Sequence, residues 1–414
     1  MALGHTAMRG CRPGCWVTAV LLGVLPWWAL LAESEFQSDS RHQAGVLSRR
    51  RASAVALHSS SPPETEWFSQ AGRGVFTHFL ADLQNEFGPN SQGMNSSWDQ
   101  CVQQFDVEAY AADAAATGAK YAVFTLMQVS KFMCAPNAVY DGITGYRPGD
   151  ACAQRDLVMD LWEALDKRGL KLLLYWTGDG PRGDPQAAAG MHCNDRDSPN
   201  QRLSRAFLER WSSVLREYAM RYGAKVAGWW IDGCYAVPGY EYTEPMLKYY
   251  HDAIRAGNPD ALIAFNNAVH SPIQNGLHWN AGGEVSRYED FTAGESNNFG
   301  VAVPTSRWVT GPAGCDCSLQ WCECASDPPL NATVQWHSLS FLGSQWGAPG
   351  ACSCEGFQPN CSSARCKPYS VRNLTEYTRA VNAVGGVLTV DLQLLRNGSM
   401  NREQVAFLAE AWRQ

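Results

Sequence analysis

From residue 67 onward, short runs of large apolar residues alternate with longer stretches in which apolar positions recur every three or four places. The short runs fall at 74–79 (GVFTHF), 121–126 (YAVFTL), 170–176 (LKLLLYW), 226–231 (VAGWWI), 261–265 (ALIAF), 285–291, 336–342 and 386–390 (GVLTV). Val, Phe, Tyr and Trp suit a pleated, buried surface, so these runs are predicted strands. Between them the spacing predicts helices over 107–117, 155–168, 201–222, 245–256 and 402–412. Gly118, Gly169, Gly223 and Gly257 each follow a helical stretch, where a chain commonly leaves a helix through a left-handed residue.

Strands alternating with helices imply βαβ units and a parallel sheet. Eight strands without a glycine-rich phosphate fingerprint after the first predict an α/β fold of the (β/α)8 TIM-barrel type. In such a barrel the chemistry gathers at the C-terminal ends of the strands. Those ends carry His78, Gln128, Asp179, Asp232, Asn266, the Glu289/Asp290 pair with Glu295, and Asp391. The segment AGWWIDGCY at 227–235 shows the pattern most sharply, because an aspartate follows a run of large apolar side chains and precedes a glycine.

Two carboxyl groups across a barrel mouth are what glycoside hydrolysis needs: one attacks the anomeric carbon or activates water, and the other protonates the leaving oxygen. Asp232 is the expected nucleophile, with Trp229, Trp230 and Gly233 fixing it on a rigid strand end; the alternative is a helix cap or a turn before Gly233. Glu295 is the expected acid, where Gly294 lets the backbone approach a ligand, against the alternative of a solvated loop glutamate. Asp290 and Glu289 remain candidates for the same role, and Glu289 has Arg287 as a second possible partner. His78, Gln128, Tyr175, Asp179, Trp230 and Asn266 are the expected substrate contacts; Asp179 between its glycines serves equally well to make a turn. No metal ligand set is expected, and no metal or organic cofactor.

Composition narrows the setting. The 414 residues include 16 tryptophans, a weak pointer to sugar stacking, and the net charge of −7 argues against a nucleic-acid partner. Arg9 and Arg12 precede an apolar run at 15–32, so residues 1–32 read as a secretory signal peptide, the alternative being a membrane anchor through 15–32. Residues 33–63 read as a flexible linker and 64–414 as the catalytic barrel. Five N-x-S/T sequons begin at Asn95, Asn331, Asn360, Asn373 and Asn397, which suits a glycoprotein that is secreted or retained in the lumen of the secretory pathway. Of the 15 cysteines, Cys11 and Cys15 lie in the leader and the other thirteen are expected to form disulfides, one being left unpaired or bonded to a partner, with eight in a stapled insertion at 311–368.

The order of motifs resembles the α-L-fucosidases of glycoside hydrolase family 29 from Trp67 to the C-terminus. WFSQAGRGVFTHF is similar to the family's opening strand, and the resemblance gives His78 a sugar contact. FDVEAYAADAAATGAKYAVFT and RDLVMDLWEALDKRGLKLLLYW follow the next helices and strands. AGWWIDG falls where the family keeps its nucleophile, so the resemblance gives Asp232 that role. VGGVLTVDLQLLRNGSMNREQVAFLAEAW is similar to the end of the barrel. The chain departs where the family has His-His-Asp, reading Gln128, Val129 and Ser130, and where it has an arginine after the fifth strand, reading Asn266, Asn267 and Ala268. The resemblance therefore implies a hydrolase of a glycan whose sugar need not be fucose. With Asp232 as nucleophile and the residue-based choice of Glu295 as acid/base, a retaining mechanism would place the two carboxyls about 5 to 5.5 Å apart. The rivals are a barrel that binds carbohydrate without cleaving it and a disulfide-stapled interaction protein.

Overall fold

A computed structural model of the chain describes residues 65–196, 203–234, 242, 244–266, 286–296, 299, 301–312, 331–353 and 367–413. In order, the first elements are α1 (Glu66–Ala71), β1 (Arg73–Thr77), α2 (Ala81–Gln84), α3 (Trp98–Gln103), α4 (Val107–Ala116) and β2 (Tyr121–Thr125). Then come α5 (Ala138–Thr144), α6 (Leu157–Asp166), β3 (Lys171–Thr177), α7 (Pro185–Met191), α8 (Arg205–Tyr222), β4 (Val226–Asp232), α9 (Glu244–Gly257) and β5 (Leu262–Phe265). The last are β6 (Trp308–Pro312), β7 (Asn331–Gln335), β8 (His337–Phe341), β9 (Cys352–Ser353), β10 (Lys367–Pro368), α10 (Val371–Ala383), β11 (Val387–Leu392) and α11 (Arg402–Arg413).

Seven strands form one parallel sheet in the order β5-β4-β3-β2-β1-β11-β8. Residues 290–296 close it. The Asp290 and Phe291 amides donate to Ile263 of β5, while Phe291 and Glu295 bridge in parallel to Gln335 and to Leu339 of β8. Eight strands in chain order thus make the expected (β/α)8 barrel. The sixth is displaced from its predicted place at 285–291, because residues 286–289 turn and pairing begins at 290. The weak apolar character of TAGES at 292–296 hid it. Gly294 explains the irregularity: its φ is +65°, and a Cβ there would stand 2.1 Å from the His337 carbonyl oxygen. The glycine serves close approach to β8, rather than to a ligand.

Parity along each strand separates two packing layers. Leu172, Leu174 and Trp176 of β3, and Trp229 and Ile231 of β4, join the layer beneath the helices. Leu173, Tyr175 and Trp230 point inward, with Phe76, Tyr121, Phe291 and Leu339. Trp230 is therefore a core residue rather than an exposed sugar platform: it is 3% exposed, stacks on Tyr175 and donates from Nε1 to the Ala293 carbonyl at 3.0 Å. Phe68 of α1 enters the same cluster against Phe291, 4.8 Å between rings. Outside, Asp106 and Ser204 accept from backbone N–H groups in the first turns of α4 and α8, satisfying donors a helix start otherwise leaves unpaired.

Three expectations change. Cys101, Cys134, Cys152, Cys193 and Cys234 are free and buried, so these five cysteines fill core positions and form no disulfides. Burial pushes the Cys101 thiol up to about 11 and the Cys193 thiol up to about 12, away from the reactive thiolate. The span 311–368 is not a single insertion, since it encloses β8; its cysteines from Cys315 to Cys324, and Cys354, Cys361 and Cys366, lie outside the described residues. Asp290 belongs to the scaffold. Arg255 of α9 grips both its oxygens at 2.7 and 2.8 Å, and Asp290 accepts the Ile263 amide at 2.8 Å. Burial pushes its carboxyl up to about 6 against the pull of Arg255. Among the described residues no helix is long and apolar enough to cross a membrane; residues 1–63, with the leader and linker, lie outside them.

The Arg255–Asp290 pair pins the closing strand to β5 and α9. Replacing Arg255 with Ala strands a buried carboxylate, so urea unfolding at neutral pH should show a loss of about 3–5 kcal/mol.

Candidate active site

Three consecutive barrel strands deliver the central groups. Asp232 ends β4, Asn266 follows β5, and Glu295 lies near the end of the closing strand. Inward parity runs Gly228, Trp230, Asp232, so the aspartate continues the barrel's inner face upward into the mouth. Asp232 is half-buried and accepts from the Tyr175 hydroxyl at 2.6 Å, the Gly233 amide at 2.8 Å and Asn266 Nδ2 at 2.8 Å. Asn266 is fully buried, and the same Nδ2 also donates to Glu295 Oε2. The two hydrogens of an amide nitrogen diverge by about 120°, so acceptors at normal range on both lie about 5 Å apart.

Glu295 is 9% exposed. Burial first, then the charge of Asp232, pushes its carboxyl up to about 8, with the Asn266 bond pulling the other way. A carboxyl held protonated at neutral pH beside a second, more exposed carboxyl is the pairing that separates an acid from a nucleophile.

Other expected contacts divide. His78, just past β1, is buried with Nδ1 2.8 Å from Asp391 Oδ1, and its ring centroid is 6.3 Å from that of Tyr175. Asp179 makes the turn: its carboxylate accepts from Thr177 at 2.5 Å and pairs with Arg182. Gly233, at φ +71°, packs against that carboxylate, where a Cβ would come within 2.9 Å. Gln128 is half-buried beyond β2, and no hydrogen bond joins its side chain to the cluster among the described residues. Glu289 accepts from the Ser286 amide at 2.7 Å and the Phe265 amide at 3.2 Å, which holds the approach to the closing strand. Trp346 was not among the expected contacts. It is half-buried beyond β8, 5.8 Å between ring centroids from His78 and 5.0 Å from Phe341. A tryptophan in a segment without strand or helix period gave no signal for it.

A closed barrel with paired carboxyl groups at its mouth is the architecture of a glycosidase. The profile of the α-L-fucosidase family matches residues 22–346, most of the chain, and the chain belongs to that family. No curated protein sequence matches it. Among solved structures, the endo-fucoidan hydrolase MfFcnA9 of glycoside hydrolase family 107 is similar at 15% identity and a TM-score of 0.54, over 84% of this chain and 63% of that one. The endo-fucoidan hydrolase MfFcnA4 of the same family gives 16% and 0.55, over 84% and 53%. The α-L-fucosidase AlfC from Lactobacillus casei gives 20% and 0.46, over 84% and 96%. The chain thus spans less than two thirds of the length of either fucoidan hydrolase, and the likeness to those two, at 15% and 16% identity, speaks to the fold alone.

The folded protein holds the Glu295 proton, at about 8, more tightly than an ordinary glutamate at 4.5. Its contribution to stability is therefore full below about pH 4.5 and lost as pH rises through about 8. Between about pH 5 and about pH 9 the wild-type Tm should fall further than that of Glu295→Gln, which cannot titrate.

Proposed function

We propose that the chain is a retaining glycosidase acting on a glycan, with Asp232 as nucleophile and Glu295 as acid/base. The observation that carries this reading is the one amide nitrogen, Asn266 Nδ2, bonded to both carboxyl groups. It supports a spacing of about 5 Å, which suits direct attack and leaves no room for the intervening water of an inverting enzyme. The Asp232 carboxylate attacks the anomeric carbon as the bond to the leaving oxygen breaks, and Glu295 gives that oxygen its proton. The ionised Glu295 then takes a proton from water, whose oxygen attacks the same carbon and releases Asp232. Tyr175 and Asn266 orient Asp232 throughout, and His78 and Trp346 form the far wall.

The sugar need not be fucose, because Gln128, Val129 and Ser130 stand where the family has His-His-Asp, and a lost hydrogen-bonding partner shifts selectivity steeply. The leader and the sequons support an exported protein, with a glycan as its partner.

A panel of aryl glycosides that includes the α-L-fucoside tests the reading. One glycoside should be turned over by the wild type, silenced by Asp232→Ala, and slowed about 10²–10⁴-fold by Glu295→Ala. Silence across the panel, with binding retained on a glycan array, would identify a carbohydrate-binding barrel that does not cleave.

A further inference from the structure

Across the mouth from the Asp232–Glu295 pair lies a second buried carboxylate that the proposed reaction does not use. Asp391 of β11 is 1% exposed, and both its oxygens are engaged. Oδ1 meets His78 Nδ1 at 2.8 Å, and Oδ2 accepts the Gly347 amide at 2.6 Å. Burial raises the Asp391 carboxyl, while His78 and the Gly347 amide pull it back. The Gly347 amide can only donate, and an ionised carboxylate can only accept. With Asp391 as a carboxylate, the ring nitrogen facing Oδ1 carries the hydrogen of that bond.

The other ring nitrogen is open. Among the described residues His78 Nε2 has no hydrogen-bond partner, and it is not among the buried polar atoms that lack one. The ring's other neighbours are the aromatic faces of Phe76, Tyr175 and Trp346, at centroid distances of 4.8, 6.3 and 5.8 Å. Tyr175 in turn donates to Asp232, so the Tyr175 ring lies between the His78 ring and the proposed nucleophile.

We propose that Asp391 is a positioning residue: as a carboxylate it holds a hydrogen of His78 on Nδ1 and so leaves Nε2 to meet the mouth as an acceptor for a substrate hydroxyl. The second bond, to Gly347, makes the arrangement directional and ties the turn carrying Trp346 to the same carboxylate. An asparagine at 391 would have one acceptor and one donor. The Gly347 amide would claim the acceptor, leaving the NH2 against His78 Nδ1, and the ring proton would move to Nε2. The substitution keeps the shape of the site and inverts the hydrogen-bonding sense of His78. The hydroxyl rests on the glycosidase reading; the position of the proton does not.

Long-range proton–nitrogen NMR of the full chain labelled with ¹⁵N-histidine reads that proton directly. His78 is assigned by its loss in His78→Gln, and spectra are taken at about pH 8, above the ordinary range of an imidazole. The wild type should show hydrogen on Nδ1 and a bare Nε2, and Asp391→Asn the reverse. Hydrogen on Nε2 in the wild type, in either charge state, overturns the proposal, and so does an unchanged ring in a folded Asp391→Asn. The wild-type spectrum decides even if the variant fails to fold. On the glycoside that is turned over, Asp391→Asn should raise KM about tenfold with kcat little changed. A scan of monofluoro analogues, in which fluorine cannot donate, should cost the wild type about tenfold at one position and Asp391→Asn distinctly less. Equal losses in both proteins overturn the acceptor role. Absence of turnover on every glycoside overturns the glycosidase reading, and the hydroxyl with it, while the NMR result stands.

Discussion

A single buried amide group sets the spacing of the proposed chemistry. Asn266 Nδ2 contacts both Asp232 and Glu295, so each carboxyl is limited in position by the other. That arrangement is possible only if the strands ending at Asp232, Asn266 and Glu295 are neighbours, and they are so because residues 290–296 close the barrel between β5 and β8. Two carboxyl groups so close in a nearly dry site cannot both hold a charge cheaply. Glu295, the more buried, keeps its proton, while the half-exposed Asp232 carboxyl sits among three hydrogen-bond donors.

The scaffold explains why this strain is tolerated. Trp230 and Tyr175 stack beneath Asp232 as the top layer of the barrel core, so the tyrosine hydroxyl reaches the carboxylate from a fixed ring. The Arg255–Asp290 pair anchors the start of the closing strand, and Gly294 lets its middle lie against β8. On the opposite side, Asp391 joins the end of β1 to the turn after β8 through His78 and Gly347. Polar crosslinks thus hold both walls of the mouth, while apolar packing fills the barrel below.

Much of this was legible in the sequence, because a period of two in a buried strand fixes which residues face inward. Once 226–232 is a barrel strand, Trp230 and Asp232 share the inner face, and the aspartate must emerge at the rim. The same rule, applied fully, makes Trp230 a core residue rather than a sugar platform. The sixth strand escaped because its residues are small and polar and owe their place to backbone contact with β8, which leaves no hydrophobic period. The bridging role of Asn266 escaped because an amide has no pattern of its own; only the meeting of three strand ends reveals it. Cysteine number pointed to disulfides, but Cys101, Cys134, Cys152, Cys193 and Cys234 occupy apolar interior positions, where a thiol packs as a small hydrophobe.

The central claim is that Asp232 forms a covalent bond to the sugar. The most direct measurement is mass spectrometry of the protein after incubation with the 2-deoxy-2-fluoro analogue of the cleaved glycoside, bearing an activated leaving group. Electron withdrawal at C2 slows both formation and release of the intermediate, and the activated leaving group restores formation alone. The account predicts one fluorosugar per chain, located after digestion on the peptide that contains Asp232. An adduct on a different carboxylate, or steady turnover of the parent glycoside with inversion at the anomeric carbon and no adduct, would contradict it.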